Sequence, residues 1–360
     1  MNSPSLSAQD LHASGHPQRI FVSEYVCGGA WPDGMPDGSL AAEGRAMLTA
    51  LVEDLLRVSD IEVITTWDAR LGPFPLLDSS RLTVCSVGGT DEEATEFNRR
   101  AKQADSAIVI APETGGVLAD RCQSVLDSDC SLIGSTPAAI ELCTDKLSPT
   151  HVLDAAGITH IPTASLDVIE PVPAWPFPLI VKPRDGAGSQ LTFRVDDNAT
   201  LMNCVSTIRQ ARSGLSFIQQ PFVSGQPASA AAILPNSESV FPAGAQLLTD
   251  DGRFQYLGCD LPGPFTCQRQ SEINRIIQRC SEAVPGLCGY VGFDLIIPDN
   301  DHEMPVLVEI NPRLTTGYLA WRQWTDQNLA KRIVRPQVRE SQIQWQSQSV
   351  QFRIAQSDRS

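Results

Sequence analysis

From Arg19 onward the chain alternates short apolar runs with stretches whose apolar residues return every three or four places. "RIFVSEYV", "IEVITTW", "LTVCSVG", "SAIVIAPE" and the short "CSLIG" read as strands. Between them, "SLAAEGRAMLTALVEDLLRV", "EEATEFNRRAKQA", a segment from Gly116 to Ser128 and another from Thr136 to Cys143 read as helices, the first opened by Ser39 as its N-cap. Strands that alternate with helices predict a parallel sheet covered on both faces, here a Rossmann-like α/β domain over 18–143.

After residue 143 the rhythm changes. "DKLSPTHVLDAAGITHIPTA" is a helix, a glycine stop and a proline-marked turn, and "FPLIVKPRDGAGSQLTFRV" is a hairpin with a polar, glycine-containing tip. The helix "LMNCVSTIRQAR" and the strand "SFIQQPFV" follow, and then "ASAAAIL", "SVFPAGAQLL" and "FQYLGCDL" have an antiparallel character. A further helix, "SEINRIIQRCSEAVP", leads to "GYVGFDLII" and "PVLVEINP", joined through the acidic turn "PDNDHE". The expected division is a leader over 1–17, the α/β domain to 143, a small α+β subdomain over 144–216, a larger one over 217–335, and a polar, frayed tail over 336–360.

Composition narrows the function. A chain of 360 residues exceeds the roughly 250 that one core usually serves. A formal charge of −15 argues against nucleic acid or an anionic membrane as a partner. No apolar run reaches the roughly 18 residues of a membrane span, and the N-terminus has no signal-peptide pattern. The ten cysteines form no CxxC pair and fall mostly in apolar or helical stretches, which predicts reduced thiols and a cytoplasmic protein.

Three stretches carry candidate chemistry. In "KPRDGAGSQ", Gly186 and Gly188 flank Ala187 ahead of Ser189, and Lys182 ends the preceding strand. Backbone N–H groups there either cradle phosphate oxygens, with the Lys182 ammonium beside them, or form an ordinary hairpin tip. Asp294 and Glu309 each interrupt an apolar strand, and Asn311 shares the face of Glu309 by the two-residue repeat. Two carboxylates and an amide oxygen are the hard donors Mg²⁺ or Mn²⁺ accepts, although a buried carboxylate paired with a structural cation gives the same pattern. Arg313 follows just past the strand, placed either to hold a phosphoryl or carboxylate group or to form an interdomain ion pair.

Taken together, "DK…GITHIPT", "FPLIVKPRDGAGSQ", "FIQQPFVSG", "GYVGFDLI" and "VLVEINPR" resemble the ATP-grasp superfamily in order and spacing over about residues 140–320, behind a domain like the one that usually precedes that fold. The resemblance implies an ATP- and Mg²⁺-dependent ligase that activates a small-molecule carboxylate as an acyl phosphate and passes it to an amine. It implies that Lys146 and Lys182 contact phosphates, that Gly186, Gly188 and Ser189 form the phosphate lid, and that Gln219, Gln220, Phe222 and Val223 form the adenine hinge. It makes Asp294, Glu309 and Asn311 the metal ligands and Arg313, with Lys182, catalytic. Many members carry Glu where this chain has Gln220, and an acidic residue near Gln226. That departure bears on the ribose contacts.

"SEYVCGGAW…SLAAEGRAML" and "APETGGVL" further resemble ligases related to the tyramine–glutamate ligase of methanofuran biosynthesis, which implies L-glutamate, an amine and one-carbon metabolism. Glu24, Glu43 and Glu113 fall near strand ends, where open α/β sheets bind ligands, and either serve an amine or amino-acid substrate or act as cap or helix-dipole residues. Glu43, near a helix start, reads first as a helix-dipole residue. The histidines show no metal spacing, there is no G-x-S-x-G elbow, and Cys27 has no evident histidine partner. A nucleotide-binding regulator and a kinase-like phosphotransferase remain the alternative readings, and a homodimer is compatible with the sequence.

Overall fold

The computed structural model describes residues 16–32, 34–36, 38–76, 79–186, 189, 191–211, 214–235, 240–300, 302–336 and 342–354. Along the first strand, β1 (Gln18–Glu24), Ile20 and Val22 pack into one apolar cluster and Phe21 into another. Burial on both faces is what a parallel sheet requires. β1 is the middle of five parallel strands, in the order Leu82–Val87 (β3), Ile61–Asp68 (β2), β1, Ser106–Ile110 (β4) and Ser131–Leu132 (β5). Helix α1 (Gly38–Leu56) covers the Ile20 face with Met47, Leu48, Leu51 and Leu55. Helices α2 (Thr90–Ala101) and α3 (Val117–Leu126) cover the Phe21 face. Ser39, expected as the N-cap, lies inside α1, which starts at Gly38.

Helices α4 (Pro137–Thr144) and α5 (Pro149–Ala155) lead into a four-stranded antiparallel sheet. Its strands are β6 (Ala164–Leu166), β7 (Leu179–Pro183), β8 (Phe193–Val195) and β9 (Phe217–Pro221), in the order β6-β9-β7-β8. Helix α6 (Asn198–Ala211) packs Leu201, Cys204, Val205 and Ile208 against it. The boundary expected at 217 therefore moves: β9 is an inner strand of this sheet, paired with both β6 and β7. The larger subdomain begins at β10 (Gly225–Leu234) and continues with β11 (Gly244–Leu248), β12 (Tyr256–Leu261), α7 (Cys267–Ala283), β13 (Gly289–Pro298) and β14 (Val306–Asn311). Helices α8 (Tyr318–Trp321) and α9 (Leu329–Val334) follow, and β15 (Val350–Arg353) completes a six-stranded sheet in the order β14-β13-β10-β11-β12-β15.

The tail differs from the frayed segment its glutamines and serines suggest. Val350 and Phe352 alternate with polar residues along β15, which pairs with β12, and Trp345 stacks on Trp324 with ring centroids 5.1 Å apart. An edge strand needs only one apolar side, so its composition stays polar. Residues 1–15 of the leader and 355–360 of the tail lie outside the described residues.

Helix α1 also joins the two halves of the molecule. Its Asp54 carboxylate accepts Tyr318 Oη at 2.6 Å and Arg322 Nε and Nη2 at 2.7 Å each. The apolar cluster under α1 runs on into Tyr318, Trp321, Leu329 and Ile333. Among the described residues no helix is long and apolar enough to cross a membrane, and all ten cysteines are free thiols.

Candidate active site

Strands of the four- and six-stranded sheets line a cleft of about 410 Å³. On one wall stands Lys182, next to last in β7 and 8 % exposed. Burial pushes its ammonium down to about 8, with Lys146 acting in the same direction and Glu309 opposing it. Lys146 follows α4 and donates from Nζ to Gly186 O at 2.6 Å, with Glu309 Oε1 3.5 Å away. Its loop is pinned by Asp145, which accepts Arg184 Nε and Nη2 at 2.7 and 2.6 Å and is held well below the usual carboxylate range by that guanidinium.

On the opposite wall Asp294 of β13 stands directly across from Glu309 of β14, and Asn311 across from Gly292. A β-bulge inserts Val308 here, so Val308 and Glu309 both line the cleft while Leu307 and Ile310 turn into the core. Asn311 Nδ2 donates to Asp294 Oδ2 at 2.9 Å, and Gln246 Nε2 to Asp294 Oδ1 at 2.6 Å. Burial, reinforced by Glu309, pushes the Asp294 carboxyl up to about 6. Burial would also raise Glu309, but Lys146, Lys182 and Arg313 outweigh it and hold that carboxyl below its ordinary value. Two facing carboxylates and an amide, with no thiol or imidazole among the lining residues, fit a hard divalent cation that shares ligand oxygens with a phosphate. Among the described residues no cluster of three His, Cys, Asp or Glu side chains could hold a metal ion by itself.

Arg313 lies past the end of β14 with Nε 2.7 Å from Glu113 Oε1, which reaches over from the loop after β4. At Gly292 a side chain would come within 2.5 Å of Thr315 Cγ2, so glycine lets the 313–317 loop lie against β13. Glu43, expected at a helix terminus in the electrostatic sense, instead projects from α1 into the cleft and accepts Thr316 Oγ1 at 2.8 Å.

The expected lid and hinge residues are only partly gathered here. Gly186 and Ser189 line the cleft, Ser189 Oγ donating to Phe254 O at 2.8 Å, and Gly188 lies outside the described residues. Gln220, Phe222 and Val223 also line it. Gln219 does not. It stands opposite both Ala164 and Val181 inside the sheet, and its amide braces the 165–174 segment through Ser165 O, Val172 O and Ala174 N. The backbone N–H of Phe222 is likewise taken by Pro178 O at 3.0 Å. Gln246 was absent from the expected set, although it breaks the apolar run of "AGAQLL" much as Asp294 breaks its own.

Glu24 is not a cleft residue. It is buried beneath α1, where a side chain at Gly44 would come within 2.5 Å of its Oε1, and it accepts Cys27 N at 2.5 Å. Burial pushes its carboxyl up to about 7. The folded chain then keeps a proton that the unfolded chain releases near 4.5, so this group's stabilisation is complete at low pH and is lost as pH rises through about 7. In chemical denaturation between about pH 5 and pH 8, Glu24→Gln is expected to remove a decline of up to about 3 kcal/mol. Parallel pH profiles for the two proteins would assign that decline to other groups.

Residues 143–317 match the ATP-grasp domain family, and residues 61–140 match the pre-ATP-grasp 3 domain family. Residues 143–317 form an ATP-grasp domain. Its fold is shared by an ATP-grasp superfamily protein from Archaeoglobus fulgidus, at a TM-score of 0.65 and 21% identity over 88% of each chain. It is also shared by an L-amino acid ligase from Bacillus licheniformis, at 0.64 and 14% over 89% of this chain and 74% of that one. N5-carboxyaminoimidazole synthetase from Staphylococcus aureus, complexed with ADP, aligns at 0.66 and 13% over 92% and 80%. No curated protein matches the sequence.

Proposed function

We propose that this protein is an ATP-dependent carboxylate–amine ligase. The observation that carries the reading is one cleft in which Lys146, Lys182 and Arg313 surround Glu309 opposite Asp294. The named ligases that share its fold support the same class.

In the proposed reaction a carboxylate oxygen of the first substrate attacks the γ-phosphorus of ATP, and the β–γ bridge breaks to release ADP. An amine nitrogen then attacks the acyl carbon, phosphate leaves, and the amine gives up a proton. Lys146 and Lys182 offset negative charge on the transferring phosphoryl group, and Arg313 offsets it at the acyl phosphate. Asp294, Glu309 and Asn311 would hold a divalent cation, Mg²⁺ or Mn²⁺, whose chemistry is to neutralise and orient phosphate oxygens. Gln220, Phe222 and Val223 border the adenine end, with Phe222 stiffened by the Arg194 guanidinium 4.4 Å from its ring.

The specific form we favour joins L-glutamate to an aromatic amine in a methanofuran-type cofactor pathway, supported by the resemblance of "SEYVCGGAW…SLAAEGRAML" and "APETGGVL" to that group of ligases. Small-molecule substrates, rather than nucleic acid or membrane, suit the cleft and the net charge of −15. The test is ADP release from ATP over a matrix of carboxylic acids and amines, with products identified by mass. Amide formed in step with ADP is the expected result. Phosphorylated acceptor would make the protein a phosphotransferase, and nucleotide binding without turnover on any pair would make it a regulator.

A further inference from the structure

The far end of the cleft holds an unbalanced carboxylate. Glu43 has a hydroxyl, Thr316 Oγ1, as its donor, whereas an ionised carboxylate accepts about four hydrogen bonds. The nearby guanidinium of Arg313 faces Glu113 through Nε and bonds Leu314 O through Nη1. Tyr256 Oη, buried on the cleft wall within reach of the Glu43 charge, has no nitrogen or oxygen partner among the described residues. Burial pushes the Glu43 carboxyl up, and the Thr316 hydroxyl and the Arg313 charge offset that only in part.

Its position is also held firmly. Asp54, three turns along α1, is fastened to Tyr318 and Arg322 just beyond the loop that carries Arg313 and Thr316. Acceptor and guanidinium are thus set on two elements locked to each other. An α-amino acid presents an ammonium and a carboxylate on one carbon, and this pair of groups complements it in charge and order.

Resting on the ligase reading, we infer that Glu43 is the receptor for a substrate ammonium, and that the acid this enzyme activates is an α-amino acid whose carboxylate faces Arg313. The ammonium supplies the donors Glu43 lacks and does not itself react. Tyr256 borders the same subsite and excludes water there.

Hydroxylamine trapping isolates this step, because its nitrogen attacks the acyl phosphate in place of the second substrate and yields a hydroxamate, phosphate and ADP. Each proteinogenic L-amino acid is compared with its des-amino acid, glutarate for glutamate and propionate for alanine. Wild type is expected to prefer one amino acid by about a hundredfold or more in kcat/KM, the scale of a lost charge-assisted contact. Glu43→Gln should bring that preference to within a few-fold, chiefly through KM, with Tyr256→Phe giving a smaller loss. Equal activation of both acid types by wild type, or a preference surviving in Glu43→Gln, overturns the proposal and leaves the ligase reading intact. If no acid is activated the ligase reading falls, and calorimetric titration with the same pairs decides. Binding of the amino acid alone, lost in Glu43→Gln, supports the receptor, and any other pattern overturns it.

Discussion

Glu309→Gln is expected to lower ADP release by about a thousandfold or more while the protein remains folded. The substitution keeps the shape of the side chain and removes one charge at the point where three cations converge on it. Two electrostatic changes then oppose each other in the resting protein. Asp294 loses the neighbour that helps push its carboxyl up, which is favourable, and Lys182 loses the anion that works against its desolvation. Lys146 keeps Gly186 O as a partner. Stability should therefore shift by no more than about 1 kcal/mol, since neither change leaves a buried polar atom without a partner. The reaction has no such compensation, because a neutral amide at 309 halves the anionic charge facing the phosphates' counter-ions. Coupled ADP assays beside thermal melts would check both parts. Turnover kept near the wild-type rate would remove Glu309 from the chemistry.

Much of this site was legible in the chain because its residues break patterns. Asp294 and Glu309 interrupt apolar strands, and an isolated charge in a core strand demands a partner. The helix–strand alternation before residue 143 and the hairpins after it led to the fold for the same reason, since periodicity is set by burial. What was not legible depended on pairings between distant segments. Val308 shows why: a bulge shifts the register by one residue, and no local pattern in "VLVEIN" announces which residue is extra. Glu43 looked like a helix-dipole residue because its partner, Thr316, lies 273 positions away. Gln219 looked like a hinge residue, yet only the pairing of β9 with two neighbours showed that its backbone lies inside the sheet. Polar composition misled at β15 because an edge strand has a wet side.

Arg313 shows how one side chain serves structure and chemistry together, and its prediction is built to separate the two. Arg313→Ala should lower turnover by about a thousandfold, the scale seen when a preorganised charge is taken from a developing anion. It should also cost about 3 kcal/mol of stability, because Glu113, whose side chain is 8% exposed, is left buried without its cation. Adding Glu113→Gln removes the stranded charge. The double variant is then expected to regain most of the lost stability and none of the lost turnover, and denaturant titrations with ADP assays on all four proteins would show it. If activity returned together with stability, Arg313 would matter only as the partner that fixes Glu113, and the phosphoryl and acyl-phosphate charge would rest on Lys146 and Lys182 alone. If neither returned, the 313–317 loop itself would need the guanidinium, through the bond from Nη1 to Leu314 O, to keep Thr315 and Thr316 against β13.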